Sequence, residues 1–388
     1  MTYAHRKDIY DADTHMMEHP NWIYDFADKD IREHLEPIVE GNKEAFDRIN
    51  QALENFALRQ SSPASLEKAK EEFMGWKHKG WEGLGAFNAE ERKLANDLLG
   101  FKAHLVFPTS AFDQVLAAKK DKIIIGGIEA LNRGMASFCS VDPRMYGTAY
   151  IPFAFGEVKA LEFLKEAIRL GFSAIMIDTI APEGKKAFTH PDFDIVWREI
   201  QENDITITLH VGADNGWDPV PLSFYNNGSQ VPAHKEGDAP RDALAYMGIS
   251  YNAELFLASM IFDGIFQRFP KLRVGVVELG ASWIISWMKH LDQSYRAFRR
   301  LQDLSQVKLL PSEYVMKHIK ITPFAGEDIG WLLESGAEDL LMFASDYPHH
   351  EGTDDPIARF EKTMIDTSEE KKLKFYSENF KMLLGSHL

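Results

Sequence analysis

Four apolar runs of this chain end in residue types that ligate metal ions. Asp13-Thr14-His15 closes IYDADTH, His210 closes TITLH, Glu278 lies in RVGVVELG, and Asp346 follows LLMFAS. A carboxylate and an imidazole two residues apart share one face of an extended strand, because strand side chains alternate. Oxygen and nitrogen donors of this kind suit zinc, iron or manganese. Such an ion lowers the pKa of a bound water to about 7 and polarises a carbonyl. Asp346 is then the candidate for taking and returning a proton, and Glu278 is a candidate acid or further ligand. Each residue also has a plain structural reading: Asp13 as a turn cap, His15 and His210 as core histidines, Asp346 and Glu278 as members of ion pairs. Their coincidence on four separate runs favours a site in which Asp13, His15, His210, Glu278 and Asp346 hold one or two divalent or trivalent ions. No binding site for an organic cofactor is expected.

Other polar residues read more quietly. Glu18 either reaches back to the site or caps the loop after it. His190, in FTHPDF, reads as a cap or loop residue, and Asp142-Pro143-Arg144 as a turn before the third strand. His349 and His350 follow Pro348 at the rim of the pocket, and Trp283 and Trp287 sit at helical spacing in the core.

The elements that must position these residues recur along the chain. Eight short apolar runs, at 9–15, 103–109, 147–153, 173–179, 206–212, 273–280, 319–324 and 340–349, alternate with longer amphipathic stretches such as EVKALEFLKEAIRLG and DFDIVWREIQEND. That alternation predicts parallel strands joined by helices. Eight strands apolar on both faces predict an α/β fold of the (β/α)₈ TIM-barrel class, whose site lies at the C-terminal ends of the strands. The first strand is not followed by a G-x-G-x-x-G turn, which counts against a doubly wound nucleotide-binding sheet. Residues 30 to 100, rich in Glu, Lys, Ala and Leu, predict a helical insertion after the first strand, with QSSPAS (60–65) as a loop and helix start. The Gly, Pro and Asn of 213 to 240 predict a lid loop. The whole of 1–388 is expected to form one domain.

Composition narrows the partners. With 45% hydrophobic and 26% charged residues, the chain can bury a large core. A net charge of −16 with scattered basic residues disfavours nucleic acid and anionic membranes, leaving a small-molecule substrate. The single cysteine, Cys139, excludes an internal disulfide. No apolar run of about 18 residues occurs, so no membrane span is expected and a cytoplasmic place is. The 30–100 region either caps the barrel mouth or mediates assembly, and a homodimer is expected.

In DADTHMMEHP, HPDFDIVWREIQENDITITLHVG, FPKLRVGVVELGASWI and LMFASDYPHHEG, taken in order and spacing, the chain resembles the amidohydrolase superfamily. The resemblance is to its amidohydrolase-related branch, which includes aminocarboxymuconate semialdehyde and γ-resorcylate decarboxylases. It implies that Asp13 and His15 form the strand-one ligand pair, that His210 is the strand-five ligand, and that Asp346 binds metal and accepts a proton from the attacking water. Two departures stand out: the first motif is D-x-H rather than H-x-H, and Glu278 stands where many relatives carry a catalytic histidine. A carboxylate there adds negative charge and suits a more highly charged or second ion. Hydrolysis of an amide, lactone, ester or thioester is the leading expectation. Non-oxidative decarboxylation of an aromatic or unsaturated acid is the alternative, and a non-catalytic metal-binding scaffold is the third reading.

Overall fold

The computed structural model describes residues 2–5, 8–35, 43–213, 220–228, 240 and 242–388. Seven strands are present among them: β1 (Asp11–His15), β2 (His104–Phe107), β3 (Met145–Ile151), β4 (Ala174–Ile177), β5 (Thr206–His210), β6 (Val274–Val277) and β7 (Ile319–Ile321). β1, β2 and β3 pair in parallel in chain order, and so do β4, β5, β6 and β7. β2, β4 and β6 are buried at every position. That is the burial of a parallel sheet covered on both faces, and it accounts for their unbroken apolar runs. In β1 the buried residues are largely polar, DADTH, and buried polar groups require partners.

The chain divides into two compact units, Met1–Ala149 with Phe343–Arg359 and Tyr150–Met342 with Phe360–Leu388. In the first, Asp11 lies opposite His104 and Thr14 opposite Val106, so β1 carries one extra residue between them. Such a bulge re-aims side chains, here just before His15. Between β1 and β2 lie helices Lys29–Arg32, Lys43–Ser61, Pro63–Glu72 and Ala89–Leu99. The loop expected at QSSPAS shrinks to one residue: Ser62 accepts the Ser65 amide at 3.3 Å and Pro63 begins the next helix, a position that suits a residue with no N–H. Arg59 and Glu91 form a buried two-point ion pair at 2.7 and 3.0 Å. Glu91 also accepts the Gly85 amide at 2.9 Å. At Gly85, φ is +73° and a Cβ would stand 2.2 Å from the Cα of Arg92, so only glycine permits that approach.

The eighth expected strand is the chief difference from the sequence reading. Within the first unit, the amide of Ala12 donates to Phe343 O at 2.9 Å, that of Asp346 to Asp13 O at 2.8 Å, and that of His15 to Tyr347 O at 2.8 Å. Within the second, Met342 donates to Ile321 O at 2.9 Å. Only isolated bridges result, at Thr14–Tyr347 and Ile321–Leu341. The physical reason is local: Asp346 turns to φ +54°, and Pro348 has no N–H to extend a ladder.

In the second unit the helices Glu157–Arg169 and Asp194–Glu202 fall where the amphipathic periodicity put them, and a further helix spans Ile284–Phe298. Gly171, at φ +91°, follows the first of these. Most of the expected lid, 214–219 and 229–239, lies outside the described residues; between those stretches Leu222–Tyr225 forms a 3₁₀ turn. Among the described residues no helix is long and apolar enough to cross a membrane.

Candidate metal centre

The first unit gathers Asp13, His15 and Asp346 and adds His349. All four are at most 7% exposed. His15 Nε2 lies 3.2 Å from Asp13 Oδ1 and 3.7 Å from Asp346 Oδ1. Asp346 Oδ1 is also 3.2 Å from His349 Nδ1. The rings of His15 and His349 stack with centroids 3.8 Å apart. Burial raises the Asp346 carboxyl to about 7, against the pull of His349, which favours its ionised form.

The second unit brings His210 and Glu278 together, Nε2 to Oε2 at 3.4 Å. His210 Nδ1 sits 2.8 Å from Val211 O. A carbonyl oxygen only accepts, so Nδ1 carries a proton, and in the neutral form of the ring the Nε2 lone pair faces the carboxylate. Two electron-rich atoms facing each other at that distance are stabilised by a cation between them. The amide of Glu278 donates to Thr322 Oγ1 at 3.0 Å.

Glu278 and Asp346 share a backbone feature. Both stand at φ +54°, and the other described non-glycine residues with positive φ are Asp204 and Thr353. That conformation is uncommon for non-glycine residues and concentrates at functional sites. Here it turns Glu278 away from the end of β6 and Asp346 away from the extended run before it.

Donor spacing tests whether the residues fit an ion. Two ligands on a tetrahedral ion, each about 2.0 to 2.1 Å from it, are about 3.3 Å apart. The pairs Asp13–His15, His210–Glu278 and Asp346–His349, at 3.2, 3.4 and 3.2 Å, match that edge. The donor set of carboxylates and imidazoles suits zinc, manganese or iron. These residues fit a divalent metal.

Several contributors were missed or misplaced by sequence reasoning. His349, expected at the rim, is 2% exposed beside Asp346. Thr109 sits between His15 and His349, 3.0 and 3.1 Å from their ring nitrogens. Glu18 does not join the ligands in the first unit; it accepts the amides of Thr109 and Ala111 at 3.1 to 3.2 Å, and burial lifts it to about 7. Arg92, fully buried, donates to His15 O at 2.6 Å. Sequence signalled none of these contacts; Arg92 also lies over the Tyr347 ring at 5.2 Å, and a guanidinium so buried needs an acceptor. His190 caps a 3₁₀ turn by accepting the Asp192 amide, and Asp142 turns the chain by accepting that of Arg144, as read from sequence. Trp283 and Trp287 pack edge to face at 5.2 Å.

Residues 88–385 match the amidohydrolase family. The chain belongs to that family. Among solved structures, this amidohydrolase is similar to an amidohydrolase from Mycobacterium avium subsp. paratuberculosis, at 18% identity and TM-score 0.72, over 98% of this chain and 100% of the other. It is similar to 5-carboxyvanillate decarboxylase from Novosphingobium aromaticivorans, crystallised with manganese and 3-methoxy-4-hydroxy-5-nitrobenzoic acid, at 17% identity and TM-score 0.64 over 99% of each chain. A 2,6-dihydroxybenzoate decarboxylase from Rhizobium matches at 17% identity and TM-score 0.60, over 96% of this chain and 98% of that one. At these identities the likeness is one of fold.

Proposed function

We propose that this amidohydrolase is a metal-dependent lyase that removes carbon dioxide from a hydroxylated aromatic or unsaturated carboxylic acid. In this reading Asp13, His15, His210, Glu278 and Asp346 serve one metal centre. The observation that carries the metal is the His210–Glu278 pair, with Nδ1 tied to Val211 and the two donor atoms one coordination edge apart. The reaction is supported by the decarboxylases of like fold, one of them with bound manganese. The same proposal takes the sheet and the 340–347 run as a (β/α)₈ barrel with 30–100 as its insertion, on one domain spanning 1–388. A cytoplasmic homodimer acting on a small molecule belongs to it as well.

A divalent ion held by Asp13, His15, His210, Glu278 and Asp346 would supply Lewis-acid polarisation of the substrate acid. Asp13, His15 and His210 orient that acid by fixing where its oxygens lie. Asp346, buried with its Oδ1 3.2 Å from His349 Nδ1, is placed to carry a proton. It delivers that proton to the carbon bearing the carboxylate. The C–C bond then breaks, its electron pair restores the ring, and carbon dioxide leaves; Asp346 recovers a proton from solvent.

A second reading, hydrolysis of an amide, lactone, ester or thioester, is favoured by Glu278, because the resemblance puts a histidine at this strand end in many relatives. There Asp346 accepts a proton from water and returns it to the leaving group.

One screen separates the two. Purified protein loaded with manganese or zinc is offered hydroxybenzoates and muconate-like acids, with carbon dioxide and arene measured, and in parallel esters, lactones and amides. Metal-dependent carbon dioxide release supports the lyase. Metal-dependent cleavage of the second set without any release overturns it. Elemental analysis of the same protein reads one ion per chain or two.

A further inference from the structure

We propose that the outward face of residues 243–262, with the groove beside it, is where a second copy of this chain docks, through a two-fold interface. The inference gives the proposed homodimer its surface and rests on no assignment of the metal centre.

The stretch reads ALAYMGISYNAELFLASMIF and holds one charged residue, Glu254. With 26% of the whole chain charged, about five would be expected in that length. It folds as two helices, Ala243–Gly248 and Tyr251–Phe262, and Ile249 and Ser250 between them keep right-handed helical dihedrals. The second helix packs Ala253, Phe256, Leu257, Met260 and Ile261 into the core. A helix that is apolar all round belongs in an interior, yet its other face is bare: Tyr251 is 51% exposed and Leu255 72%. The shorter helix adds Leu244, Tyr246 and Met247, the last 66% exposed. Met247, Tyr251 and Leu255 recur at every fourth position and form one stripe.

This is not how the unit treats its other surface helices. Glu157–Arg169 turns Glu162, Lys165 and Arg169 to its surface. Single exposed apolar residues are ordinary, but a continuous patch beyond a few hundred Å² marks an interaction site.

Charge says what covers the patch. Met247 and Tyr251 line a groove of about 520 Å³, whose other wall is Trp283 and the helix Ile284–Phe298. On that wall stand Lys289 and His290, both exposed. Neither enters an ion pair among the described residues. On the near wall stands Glu254, which accepts the Ser250 hydroxyl at 2.6 Å. A two-fold axis sets a patch against itself, so that residue i meets j and j meets i. The Glu254 carboxylate of each copy then faces the partner subunit's Lys289. An apolar floor with an acid on one wall and bases on the other thus complements its own copy. Two chains carrying −16 each repel on average, and this face is spared that repulsion. A lipid surface asks instead for cations all along the polar flank of an apolar face. A stable pair buries about 800 Å² on each partner, with aromatic residues and Met enriched; Tyr246, Met247, Tyr251 and Trp283 are of those types.

The test uses the purified full chain and the double variant Tyr251→Glu/Leu255→Glu. Both side chains already lie largely in water, so circular dichroism should be unchanged. Sedimentation equilibrium should give twice the 44.2 kDa chain mass for the unaltered protein. The double variant should dissociate with a constant raised at least about 30-fold, as when a hot-spot side chain is lost. A second measurement needs no variant: carbodiimide cross-linking of mixed ¹⁴N and ¹⁵N protein should join Glu254 of one copy to Lys289 of the partner subunit. An unaltered protein that stays monomeric overturns this inference and the homodimer together. One that is monomeric and floats with phosphatidylcholine vesicles overturns it in favour of a membrane surface. A double variant that pairs as tightly as the parent, or copies that cross-link only outside this face, overturns the surface alone and leaves the homodimer standing. None of these outcomes turns on which reaction the metal centre performs.

Discussion

Asp11 and Ser345 are 334 positions apart, yet the Ser345 amide donates to Asp11 Oδ1 at 2.9 Å and its hydroxyl pairs with Oδ2. Ser345 Oγ in turn accepts the Tyr347 amide at 3.2 Å. One buried carboxyl thereby holds the residues on either side of Asp346, the backbone that stands at φ +54°. Burial raises Asp11 to about 8, so at neutral pH it is largely an uncharged acid that can both give and accept. Asp11→Ala leaves the Ser345 amide and hydroxyl without this partner inside the protein. A loss of about 2 to 4 kcal/mol is expected, in line with breaking a buried hydrogen-bond network. Asp11→Asn should lose less. Chemical denaturation of the metal-free protein checks both, and an alanine variant as stable as the parent removes Asp11 from this role.

Gly352 closes the same turn from the far side. A Cβ there would lie 2.0 Å from Ser345 O and 2.9 Å from the Cβ of Asp346. A backbone oxygen cannot swing away as a flexible side-chain end can, so Gly352→Ala must shift the 345–346 backbone. The expected result is a stability loss of at least about 2 kcal/mol together with weaker zinc binding. Calorimetric melting with and without zinc measures both, and a variant unchanged in each would show that the turn relaxes freely.

Asp346 carries the proton in both proposed reactions. Asp346→Asn keeps the shape and removes the acid, so turnover should fall by a factor of about 10² to 10⁴, the usual worth of a positioned acid or base. Removing a buried carboxylate from among His15, His349 and Asp13 should leave the melting temperature of the metal-free protein within a few degrees. Near-parental turnover of that variant on the substrate found by screening would end the assignment.

The pattern of what the sequence disclosed follows from how each contact arises. Asp13, His15, His210, Glu278 and Asp346 stood out as candidates because a strand's period and its apolar flanks announce a polar residue at its end. Thr109 was not: a threonine after Phe107-Pro108 is an ordinary strand exit, and its meaning depends on two histidines 94 and 240 positions away. Arg92 and Asp11 were illegible for the same reason. The eighth run looked like a strand because its composition is that of one, whereas Asp346 leaves the extended conformation for a turn its own side chain uses. His349 was read as a rim residue from the proline before it, and packing against His15 buried it instead.

Away from the ligands, His318 gives the protein an acid-sensitive element. Its Nδ1 meets Leu272 O at 2.8 Å and its ring stacks on Phe266 at 4.5 Å. Burial lowers it to about 4, with the nearby Lys317 and Lys320 acting in the same direction. The unfolded chain takes up a proton here near pH 6.5, whereas the folded chain resists until about 4. Stability from this group is therefore complete above pH 6.5 and is lost as pH falls towards 4, by up to about 3 kcal/mol over that window. His104, pushed down to about 3 by burial and Arg92, acts with the same sign. Asp11 and Glu18, raised instead, act with the opposite one. Comparison with His318→Asn isolates one contribution from the others, because asparagine keeps a donor for Leu272 O and cannot titrate. The stability difference between parent and variant should shrink steadily from pH 6.5 to 4 in urea denaturation of the metal-free protein. A difference that stays constant across that range would mean that His318 is protonated in the fold as readily as in water.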